Sequence, residues 1–148
     1  GGYDMNRLLK LDIDDMRSNL FVILLAGFGA IRAIEWIVKD VGQLANYSNL
    51  YLKMSDYMDI HTIGWFLFLF SIVLFVSIFF ESVINHYLVI IGSFVCGSIH
   101  LVFGMISVDS ANFFTTYYTN MLVGVVQYLL LLTGVIGLWK HKNSQNID

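Results

Sequence analysis

The sequence predicts an all-α integral membrane protein: a four-transmembrane-helix bundle, with an N-terminal cytoplasmic amphipathic helix and an outer interfacial helix between spans one and two. Three observations carry this. Apolar residues make up 57% of the 148 and charged residues 13%, with a mean hydropathy of +0.72, whereas soluble domains carry roughly 25% charged residues. Four apolar runs each approach the length of about 20 residues that crosses a hydrocarbon core. Within the third run, Ser93, Cys96, Gly97, His100, Gly104 and Ser107 fall on one face at about 100° per residue, and Leu88, Val95, Ile99, Val102 and Ile106 cover the rest. In a bilayer the greasy surface of such a rod meets lipid, and its small, polar stripe meets other helices.

Taken in order, Gly1 to Asp4 ahead of Met5 read as an exogenous remnant, and residues 5–142 as one membrane domain. Met5, Leu9, Ile13, Met16 and Leu20 recur at helical spacing, which predicts a short surface helix or a solvated lead-in to the first span. That span, 20–38, is too long for the hydrophobic segment of a signal peptide and runs straight into charged residues. It contains Arg32 and Glu35, which are expected to pair with each other, with Lys39 extending the row. Ala26, Gly29 and Ala33 leave the adjoining face small, and Trp36 suits the outer interface.

The connection from Asp40 to His61 has its own helical pattern in Leu44, Tyr47, Tyr51, Met54 and Met58. It predicts an outer amphipathic helix, either plainly interfacial or a lid or docking surface, with Tyr47, Tyr51, Met54 and Met58 as the docking candidates. The second span, 62–80, is dense in Phe and Leu and is expected to be the most lipid-exposed. A short turn to the third span, 86–108, makes the two antiparallel neighbours. In the fourth, 116–139, Thr116, Asn120, Gly124, Gln127 and Gly134 share a face that can meet the stripe of the third; residues 143–148 are expected to be a flexible tail. The packing stripe is thus Ser93, Cys96, Gly97, Gly104 and Gly124.

Basic residues orient the bundle. Arg7, Lys10, Arg17, Lys140 and Lys142 lie on the side of the termini and only Lys39 and Lys53 on the other, so both termini are expected in the cytoplasm and the protein in the plasma membrane.

Helical rise places Arg32 and His100 at similar depth, with Gln127 near mid-bilayer and Glu35 a turn outward. Charge at this depth costs about 2.5–3.5 kcal/mol even on a lenient scale. Arg32, Glu35, His100 and Gln127 are therefore either a buried site for an ion, proton or small polar ligand, or a neutralised pair with interhelical hydrogen bonds. Other chemistries fit poorly. The lone Cys96 suits packing, since nothing near it would stabilise a thiolate. His61, His86, His100 and His141 are too dispersed for zinc, and only His100 lies at haem depth, so no cofactor or metal is expected. Ser98 precedes His100 but points away from it on the helix, no phosphate loop is present, and the eight Lys and Arg form no nucleic-acid stripe.

The first expectation is a non-enzymatic protein acting by contact, as an accessory subunit of a membrane assembly or a small membrane factor, whose partners are the bilayer and another membrane protein or further copies of itself. The second is a homo-oligomeric ion or proton channel or carrier using the Arg32, Glu35, His100 and Gln127 cluster. The third is a membrane-embedded enzyme.

Overall fold

A computed structural model describes residues 13–45, 49–110 and 114–146. It is all-helical there: α1 (Ile13–Val38), α2 (Val41–Ala45), α3 (Leu50–Ser55), α4 (Ile60–Val76) with a 3₁₀ turn at Ser77–Phe79, α5 (Ser82–Ser110) and α6 (Phe114–Gln145). Four helices are long and apolar enough to cross a membrane, over Asp14–Val38, Ile60–Phe79, Ser82–Val108 and Tyr117–Gln145.

The ends of these helices follow from local chemistry. Asp14 and Asp15 occupy the first turn of α1, where negative charge meets the positive end of the helix dipole. At its far end the His61 ring donates from Nδ1 to the Ile37 carbonyl, 3.1 Å away, and satisfies a last-turn acceptor. Asp40 and Gln43 close α2 reciprocally: Gln43 N–H donates to Asp40 Oδ1 at 3.0 Å, and Asp40 N–H to Gln43 Oε1 at 3.3 Å. Asp59 caps α4 by accepting from the Thr62 backbone N–H at 3.1 Å and from its hydroxyl at 3.2 Å. Between α4 and α5 the chain reverses through Ser82, which adopts a left-handed φ of 62°. Asn85 Nδ2 braces this turn by donating to the Ser77 carbonyl at 2.7 Å.

Packing runs α1 on α4, α4 on α5, and α5 on α6, the last pair being the most intimate. Close approach depends on small residues. A Cβ added at Gly64 would lie 3.1 Å from the Trp36 and Ile37 side chains; at Gly92, 3.2 Å from the Leu74 backbone; at Gly124, 2.6 Å from Leu101. Gly97 lies against the Tyr128 ring and Gly104 against Met121. The small faces of the third and fourth spans thus meet each other, and that of the first meets the second.

Several expectations need correction. Ile13 to Asn19 continue α1 without a break rather than forming a separate surface helix, and Met5 to Leu11 lie outside the described residues. Helix α6 runs on through Asn143, Ser144 and Gln145. The least buried span is the fourth, not the second: 22% of its apolar stretch is inside, against 28% for the second and 44% for the third. The reason is that α6 rests mainly on α5, whereas α4 is held between α1 and α5.

Candidate functional site

The site begins with the face that α1 turns inward. Ala33 and Trp36 pack against Gly64, and this fixes the roll of the helix, leaving Ile31, Ile34 and Val38 outside. Arg32 is carried inward with them. Its Cζ lies 5.1 Å from the centroid of the Phe103 ring, and its Nη1 is fully buried with no protein group accepting from it.

The pairing of Arg32 with Glu35 is not what the structure has. Glu35 is exposed and accepts from Lys39 Nζ at 2.8 Å, so its influence on Arg32 is only electrostatic. Both pairings satisfy helical spacing; the inward roll of Ala33 and Trp36 decides between them. Trp36 itself, expected in an interfacial belt, is buried with its ring 5.1 Å from Phe103.

From α5, His100 stands beside Arg32 and next to the Gln127 side chain of α6. Its Nδ1 is 2.7 Å from the Cys96 carbonyl. A carbonyl only accepts, so Nδ1 carries the proton and, in the neutral ring, Nε2 keeps its lone pair. Gln127 is fully buried, yet neither its Nε2 nor its Oε1 meets a protein partner in hydrogen-bond geometry. Ser93, two turns below His100, is likewise buried with an unmet hydroxyl. Cys96 is buried against Ser71, 3.6 Å from its hydroxyl. Ser98, on the other side of α5, donates to the Phe94 carbonyl at 2.7 Å and accepts from Tyr128 at 2.6 Å.

Two apolar layers bound this polar set. On the side away from the termini, α2 and α3 fold over the bundle as a lid, with Leu44, Leu50 and Met54 buried among Trp36, Ile60 and Phe103. Expected as one interfacial helix, the connection is two short ones, because these side chains bury more completely on the aromatic cluster than on a flat interface. Tyr51 sits under the lid with its ring 6.0 Å from Phe103. Burial first, and Glu35 next, hold its phenol above the ordinary value, so it remains a protonated donor. Towards the termini the floor is Val22, Leu25, Ala26, Leu74, Val89 and Leu130. Beneath it opens a polar cavity of about 480 Å³, lined among others by Asp15, Asn19, Glu81, Asn85, His86 and Thr133.

The candidate docking residues do not form one surface. Tyr51 and Met54 face inward, and Tyr47 lies outside the described residues, as does the side chain of Thr116. Met58 is 51% exposed and, with Met54, Ile63, Phe66 and Val102, lines an apolar groove of about 390 Å³. Sequence reasoning did not single out Phe103, and it read Trp36 as interfacial and Tyr51 as a docking residue, where the structure makes all three walls of the site. Among the described residues no group of three His, Cys, Asp or Glu is placed to hold a metal.

The arrangement defines a class: an all-helical chain with four membrane-length helices and a cluster of buried polar side chains set between two apolar layers. No known protein family, curated protein or solved structure matches the chain.

Proposed function

We propose that this is a non-enzymatic, multi-pass protein of the plasma membrane, both termini cytoplasmic, that holds a small polar solute in the chamber of Arg32, His100 and Gln127 and passes it across. The observation that carries the reading is the set of buried polar atoms on Arg32 and Gln127 that no protein group meets in hydrogen-bond geometry, Gln127 standing beside the His100 ring. An unmet buried polar group costs about 1–3 kcal/mol, and a charge in the membrane more. The contact of Arg32 with Phe103 offsets about 0.5–2 kcal/mol of this. The remainder is recovered when a solute supplies the missing partner, and the lid and floor are the two doors it passes. Glu35 lies outside the chamber and belongs to the surface.

The test is flux into liposomes containing only this protein, read separately for protons, small cations and small anions. Flux above that of empty liposomes, lowered at least tenfold by Gln127→Met and unchanged by Glu35→Gln, is the expected result. No flux of any of the three refutes the reading.

A second reading, an accessory subunit acting by contact, is favoured by the groove at Met58 and Phe66. Native mass spectrometry of the gently extracted complex tests it: a stoichiometric second protein supports it, and a lone chain or homo-oligomer rejects it.

A further inference from the structure

The charge balance of the chamber names the class of its solute. Arg32 is the cationic group of the set, and among the described residues it forms no ion pair. The one carboxylate close to it in sequence, Glu35, is exposed and bonded to Lys39. Arg32 is only half-buried as a residue, and snorkelling resolves its charge in part. Arg32 lies about 9 Å below the end of α1 at the rise of a helix, but its Nη1 is fully buried and its guanidinium is held over Phe103 beneath the lid.

What surrounds it is neutral and hydrogen-bonding. Gln127 brings an unmet N–H₂ donor, fully buried, and Tyr51 brings a protonated phenol within electrostatic reach of the guanidinium. Glu35 reaches Arg32 only through the field and is itself bonded to Lys39, so a cation would meet a guanidinium with no carboxylate on it, and a neutral solute would leave it so. An anion of single charge neutralises it, and in a low-dielectric chamber such a pair is worth far more than in water. A second negative charge would be left without a partner.

We propose, resting on the solute-binding reading above, that the chamber takes a small monovalent anion, a carboxylate or an inorganic ion, bound by Arg32 and Gln127 and exchanged through the α2–α3 lid.

The experiment measures thermal unfolding of the full chain in lipid nanodiscs. Sodium formate, acetate, nitrate or chloride is titrated at constant sodium and ionic strength, with the bulkier gluconate as the balancing salt. A saturable rise in midpoint with one or more of the small anions is expected. Formate, acetate and nitrate acting without chloride indicate a planar, two-oxygen ligand; chloride acting alone indicates a spherical one. Arg32→Met should abolish the rise, and Gln127→Met should raise the half-saturating concentration about tenfold. No saturable rise with any of the four overturns the inference, as does a rise of the same size in Arg32→Met. If Arg32→Met does not fold, an unchanged half-saturation in Gln127→Met overturns it instead. Proton or cation flux in liposomes without any anion effect also overturns it, while leaving the solute-passing reading in place.

Discussion

Replacing Gln127 by Met separates a site from a strut. Met keeps the length and flexibility of the side chain and removes both polar atoms. In the folded protein those atoms are fully buried and have no protein partner. Removing them should relieve a desolvation cost of about 1–3 kcal/mol. A gain of about 1 kcal/mol raises the midpoint of a chain of this size by about 2–4 °C. The assay is tryptophan fluorescence during thermal unfolding in nanodiscs, with gluconate as the only anion. The variant should be more stable and worse at passing solute, since a site retains strain that folding alone would remove. A midpoint that falls by 2 °C or more would refute the reasoning, because it would mean the amide is bonded in the native bundle and holds the helices together.

Two further outcomes follow from the packing. Gly92→Ala places a Cβ 3.2 Å from the backbone of Leu74, which cannot move aside as a side chain can, and should cost about 1–3 kcal/mol; Gly27→Ala meets nothing within 4 Å and should be neutral or stabilising by up to about 1 kcal/mol. Paired unfolding midpoints check the contrast, and equal effects would contradict the α4–α5 contact. Ser82→Gly should stabilise by about 1 kcal/mol through relief of the left-handed backbone at φ 62°, and a destabilised variant in the same assay would count against that turn.

The four long helices were legible because a membrane-length apolar run has few alternative structures, and the pairing of α5 with α6 because Gly97, Gly104 and Gly124 repeat at helical spacing on two facing stripes. The depth match of Arg32 and His100 needed only the rise per residue. What could not be read was the roll of α1. Arg32 to Glu35 and Glu35 to Lys39 are equally good local pairs, and the choice is made by Gly64, on another helix, admitting Trp36. The lid escaped for a related reason. Leu44, Leu50 and Met54 have the same periodicity whether they lie on a lipid surface or on Phe103, and only the tertiary structure supplies that aromatic floor. Trp36 followed the same rule, since an aromatic near a span end is interfacial unless something folds over it.

The glycines of α5 and α6 have one more consequence. Because Gly97, Gly104 and Gly124 face one another's helices, the outer rim is left to bulky side chains such as Phe94, Leu122 and Leu129. Helices that meet through such residues stand towards the far end of the usual range of about 8–10 Å between axes. They lack the close backbone approach that fastens small-residue dimers. In a bilayer, the flank formed by α5 and α6 would therefore meet acyl chains through these bulky side chains.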